Sequence, residues 1–158
     1  MKKHIWVYAV LVFSLSLQLS VLRNIRLLPD LALLVVVFTG IFFGPLEGVA
    51  LGALAGFLRG CFSPGTMALN VALFPAVGYI SSVISAMFYK KNPLFHVVCV
   101  LVGVLFIVSV QILYFNSMHA AEMTLRDVLL HNRIRLALTV LSAPLVFGAL
   151  SWLMGLEE

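Results

Sequence analysis

The sequence predicts an all-α integral membrane protein: a six-helix transmembrane bundle in one domain, residues 1–158, with one short amphipathic helix at the interface. Three observations predict it. Hydrophobic residues make up 63% of the 158 positions and charged residues 10%, against about 25% charged in ordinary soluble domains, and mean hydropathy is +1.14. The apolar residues gather into long runs separated by short polar turns. Between Gly44 and Gly60 a glycine recurs at every fourth position, at Gly44, Gly48, Gly52, Gly56 and Gly60. Residues four apart share a helix face, so these glycines form one furrow about 24 Å long. Each costs roughly 1 kcal/mol relative to alanine in a soluble helix. In a bilayer, small residues at this spacing let a second helix approach closely, so the furrow is expected to receive another helix of the same chain.

Met1-Lys2-Lys3-His4 followed by Ile5 to Leu22 resembles a secretory leader. The run exceeds the usual apolar region of about 7 to 15 residues, however, and no small-x-small cleavage site follows. It is expected to remain as the first span, with Trp6 and Tyr8 as interfacial aromatics. Arg23-Asn24-Ile25-Arg26 ends it. Asp30 is placed to cap the following helix and to complement its dipole. Leu31 to Phe43 is short for a crossing, Gly44-Pro45 breaks it, and Pro45 suits the first turn of the glycine helix. Residues 31–62 therefore form two thin spans or one re-entrant hairpin.

Ser63-Pro64-Gly65-Thr66 reads as a turn. Met67 to Tyr89 is the next span, with Pro75 and Gly78 predicting a kink, and Lys90-Lys91-Asn92-Pro93 closes it. Leu94 to Phe115 is the cleanest span. In Asn116 to Arg135, apolar Met118, Ala121, Leu125, Val128 and Leu129 recur at helical spacing, which predicts an amphipathic helix lying at the interface. Leu136 to Met154 completes the bundle.

The net charge of +4 is gathered at segment ends and reads as topology and headgroup charge. A nucleic-acid surface would need a basic stripe interleaved with aromatics, and none is present. Cys61 and Cys99 lack a metal or redox spacing. The four histidines have no ligand-like partners at a convincing spacing, no Ser-His-Asp order or Walker loop occurs, and no carboxylate pair sits in an apolar setting. The chain is expected to be no enzyme and to need no cofactor or metal.

The remaining candidates are polar groups within apolar segments. Arg59 is the charge inside the glycine helix. It either pairs with Asp30 or Glu47, or snorkels to headgroups at the end of the span. Asn70 either bonds across helices or caps its own. Counting arginines and lysines alone opposes a cytoplasmic amino end, because Lys2, Lys3, Lys90 and Lys91 would then face six arginines outside,.

Taken together, Pro29-Asp30-Leu31, Gly44-Pro45-Leu46-Glu47-Gly48, Gly52-x-x-x-Gly56-Phe57-x-x-Gly60, Leu69-Asn70-x-x-Leu73 and Val77-Gly78-Tyr79 resemble the rod shape-determining membrane protein family MreD. The resemblance covers Pro29 to Ser85 closely and the other spans by length and hydropathy. It implies a non-enzymatic protein of the bacterial inner membrane, part of the cell-elongation machinery. The implied partners are the single-pass protein MreC and, through it, MreB filaments and the peptidoglycan synthases. It also implies a fold similar to the six-helix substrate-binding components of energy-coupling-factor transporters, with both termini cytoplasmic. Many members carry an aspartate shortly after the ladder, where this chain has Cys61 to Pro64. The alternative function is a vitamin- or lipid-binding transporter component, lined by Asn70, Arg59, Gln111 and Ser109. The Ala-x-x-x-Ala docking motif of such components does not occur in Ile5 to Leu22.

Overall fold

In the computed structural model the described residues are 30–61, 66–87, 93–118 and 125–154. They are helical almost throughout: α1 Leu31–Phe43, α2 Pro45–Cys61, α3 Met67–Met87, α4 Pro93–Met118 and α5 Leu125–Met154. The expected first span, Ile5 to Leu22, lies outside the described residues.

Asp30 starts α1. Its side chain accepts the Leu33 N–H at 3.3 Å, which satisfies one of the amides a helix start leaves bare, and its carbonyl accepts the Leu34 N–H at 3.1 Å as the first bond of the helix. Every residue from Ala32 to Ile41 is buried. A helix enclosed on all sides has no use for a polar face, and LALLVVVFTGIFF has none. α2, α3, α4 and α5 all touch it, α2 and α3 most extensively. Thr39, the hydroxyl within this run, bonds back to the Val35 carbonyl at 2.8 Å.

One residue joins α1 to α2. Gly44 has φ 100° and ψ −178°, a region open essentially to glycine alone, and its carbonyl accepts the Gly48 N–H at 3.0 Å to begin the next helix. The chain reverses there, so α1 and α2 form a hairpin whose open ends, Asp30 and Arg59, meet. The hairpin is compatible with either of the two arrangements expected for residues 31–62.

α3 runs unbroken through Pro75; the helix is not interrupted at the predicted kink. Its buried serines answer their own backbone, Ser81 to the Gly78 carbonyl at 2.9 Å and Ser85 to that of Ser82 at 2.8 Å. Among the described residues no buried side-chain nitrogen or oxygen lacks a hydrogen-bond partner.

Two helices, Met67–Met87 and Leu94–Tyr114, are long and apolar enough to cross a membrane, with mean hydropathy 1.7 and 2.7. Leu31–Phe43 and Leu136–Trp152 are apolar but shorter. α4 and α5 pair with each other, and each touches α1.

The interfacial helix expected over Asn116 to Arg135 is corrected. Asn116 to Met118 ends α4, and from Leu125 the chain is one continuous helix to Met154. Helical spacing of apolar residues identifies a helix without saying which way it lies. Nothing in the 125–135 stretch, neither glycine nor proline, breaks it away from the span that follows.

Candidate functional site

Two features converge where α2 crosses α3: a backbone-level interface and a polar node at its end. Along the interface, α2 and α3 run antiparallel. A Cβ added at Gly48 would lie 2.8 Å from the Gly78 carbonyl oxygen, and one at Gly52 would lie 2.6 Å from that of Phe74. At Gly56 it would strike the Asn70 carbonyl, with the carbonyl carbon at 2.9 Å, and at Gly60 it would meet Met67 Cγ at 2.8 Å. Each step of four along α2 thus descends about one turn of α3. At Gly48, Gly52 and Gly56 the obstruction is backbone and leaves no room for a side chain, whereas at Gly60 it is the Met67 side chain that fills the space.

The fifth predicted packing glycine is different, and this corrects the sequence reading. Gly44 has nothing within 4 Å of an added Cβ, and its positive φ makes it the turn. Gly40, which the sequence reading passed over, takes the place in the contact: its Cβ would strike Ser81 Oγ and the Gly78 carbonyl. Gly78 reciprocates, with the Gly48 carbonyl carbon 2.6 Å from its own added Cβ. α1, α2 and α3 therefore meet at Gly40, Gly48 and Gly78. The signal was available, since Gly40 continues the same four-residue spacing upstream.

The polar node lies at the other end of α2. Arg59 Nη1 donates to Asp30 Oδ2 in an ion pair whose side chains are 26% and 15% exposed, and the guanidinium carbon sits 5.4 Å from the centre of the Phe74 ring. The Asp30 N–H donates to the hydroxyl of Thr139 at 2.9 Å. Thr139 is buried in α5, so the cap of α1 ties α2, α3 and α5 together at one point. Of the two partners the sequence offered for Arg59, the structure brings Asp30. Glu47 stands in the first turn of α2, about 18 Å from Arg59 along the axis, where its charge complements the positive end of the helix dipole.

Asn70 is buried, and its amide donates to Thr66 Oγ1 at 3.2 Å. This bond serves the start of its own helix. Thr139 and Phe74 carried no sequence signal, because one threonine or one phenylalanine in an apolar run is ordinary. The same holds for an aromatic cluster near the Gly44 turn, where the His96 ring lies 4.9 Å from Phe147 and 5.8 Å from Phe42, and Phe38 lies 5.5 Å from Phe147.

Comparison with protein-family models, curated proteins and solved structures yields no match to this chain.

Proposed function

We propose that the chain is a multi-pass scaffold of the bacterial cell-elongation machinery in the inner membrane, similar in role to MreD. On this reading Ile5 to Leu22 supplies the sixth helix, both termini are cytoplasmic, and the Asp30–Arg59 end faces the periplasm. The scaffold binds MreC, and through it bears on MreB and peptidoglycan synthesis. It is not an enzyme and needs no cofactor.

The observation that carries the reading is that the separate blocks of the resemblance pack on one another. Asp30 of the first block meets Arg59, Gly48 of the second meets Gly78 of the last, and Gly56 meets Asn70. Residues scattered over almost fifty positions thus form one three-helix unit. Such a unit suits a bilayer, where apolar burial brings little and close backbone contact supplies the association. The alternative, a small-molecule component, requires Ser109 in a cavity lining, and Ser109 is exposed on α4.

Affinity purification of the tagged full chain in mild detergent tests the proposal. MreC is expected to accompany the wild type, and Gly52→Leu or Gly56→Leu is expected to abolish the complex or the accumulation of the protein. Recovery of MreC at wild-type levels with either variant would count against it, as would a chain found in the soluble fraction.

A further inference from the structure

The geometry points to the outer face of the α2–α3 pair as the docking site for one transmembrane helix of a partner protein, a helix that carries a hydrogen-bonding side chain at the depth of Tyr79. The inference rests on the scaffold reading above and names the face that meets the partner.

α2 and α3 are joined along the glycine line, and α1 covers one side of the joint, where Gly40 meets Gly48 and Gly78. The other side is open. Leu46, Ala50 and Phe57 lie about a third of a turn round α2 from its glycines, and Ala68, Ala72 and Tyr79 lie about a third of a turn round α3 from the residues those glycines touch. Because the helices run antiparallel, both sets turn to the same side, and all six residues are exposed. The pairing of Gly48 with Gly78 and of Gly56 with Asn70 sets Leu46 and Tyr79 at the Gly44 end of this face and Phe57 at the Arg59 end. Ala50 and Ala72 fall between them. The face is therefore low in the middle and raised at both ends.

The Tyr79 hydroxyl indicates what covers the face. Tyr79 is 53% exposed, and among the described residues its hydroxyl has no hydrogen-bond partner. It stands just past the middle of the Met67–Met87 helix, and helical side chains lean toward the N-terminus, which brings the hydroxyl level with the centre of the span. Tyrosines that anchor a span sit at its ends, among headgroups. At mid-span there is no water, and an acyl chain offers neither donor nor acceptor, so a hydroxyl facing lipid goes unpaired at a cost. A polar side chain on a packed helix supplies the bond, and the alanines let that helix come close. A second copy of this chain is a poorer fit. A two-fold axis along the membrane normal brings the same ends of the face to the same depth, so large residues meet large ones and hold the alanines apart.

Photocrosslinking of the full chain in bacterial membranes tests the site. The amino acid p-benzoylphenylalanine is placed at Tyr79 or, as the control, at Leu145, which is 76% exposed on α5. The Tyr79 position is expected to capture the transmembrane helix of a single-pass protein, MreC on the reading above, and the Leu145 position is not. Tyr79→Phe removes the hydroxyl alone and is expected to lower recovery of that partner in mild detergent about three- to tenfold. Ala72→Leu fills the low middle and is expected to abolish recovery. Both positions are exposed, so both variants should melt with the wild type.

Wild-type recovery of the partner with either variant overturns the assignment. So does a Tyr79 adduct formed only with lipid, with a second copy of the chain or with its own Ile5 to Leu22, and so does equal capture from Leu145. Recovery of MreC without capture at Tyr79 leaves the scaffold reading standing and overturns this inference alone. Capture of a different single-pass helix, lost in both variants, supports the site and overturns MreC as its partner.

Discussion

Asp30 does two jobs with one side chain, and substitutions separate them. Asp30→Asn keeps the cap on Leu33 but removes the charge opposite Arg59. Leaving a fully buried charge unpaired costs about 3 to 5 kcal/mol, and the partial exposure of this pair brings the expected cost to about 2 kcal/mol. Asp30→Ala also loses the cap, for about 1 kcal/mol more. Thermal melting of the purified variants in detergent checks both, and an Asp30→Asn that melts with the wild type would show that the pair contributes nothing. The pairing was legible in the sequence because an arginine inside an apolar run needs a carboxylate, and only Asp30 and Glu47 stand near it in the chain. The choice between them was not. It depends on the chain reversing at Gly44, which sets Asp30 beside the end of α2 and leaves Glu47 at its beginning. Thr139 was beyond reach, since the contact spans most of the chain and a hydroxyl in a helix ordinarily bonds back to its own backbone, as Thr39 does.

At the scale of the element, glycines of one composition have different meanings, and alanine substitutions should sort them. Gly56→Ala drives a methyl into the Asn70 carbonyl, which belongs to backbone and cannot swing away. The expected loss is about 3 kcal/mol. Gly148 has nothing within 4 Å of an added Cβ, so Gly148→Ala should be neutral or stabilise by up to about 1 kcal/mol. Equal effects in a detergent melt would refute the distinction. Helix limits near Gly and Pro were readable: Leu31 to Phe43 is found with the predicted ends, because Asp30 and Gly44 bracket it. The stretch from Asn116 to Arg135 was not, since its pattern of apolar residues is the same whether the helix lies flat or continues into the next. The course of α3 through Pro75 is unbroken. α2 is seated along it from Asn70 to Gly78, on both sides of the position where a backbone hydrogen bond is lost,.

For the whole molecule, the proposed topology makes a claim about sides. Cys61 is exposed at the end of α2, next to the polar node, while Cys99 is buried in α4. A membrane-impermeant maleimide added to spheroplasts should therefore modify Cys61 and spare Cys99. Labelling of Cys61 only after the membrane is opened would place the Asp30–Arg59 end in the cytoplasm and reverse the bundle. The same end is uneven in height. From Thr139 outward to Leu125, α5 extends about 21 Å, far more than a headgroup layer, so the α4–α5 pair stands above the hairpin end of the molecule. Composition and run length made the helical class plain; this relief was hidden, because it follows from which residue of α5 sits opposite Asp30.

The enclosure of α1 bears on how such a molecule is made. A helix walled in by four neighbours cannot be the last to arrive, and it emerges from the ribosome ahead of all of them. While α3 is still being synthesised, α1 and α2 have, among the described helices, only each other and the Gly44 turn, with the ladder not yet covered by α3. Biogenesis thus passes through a stage in which an unfinished hairpin must be sheltered or rapidly joined by α3, and a quality-control protease that patrols the membrane would find its opening there.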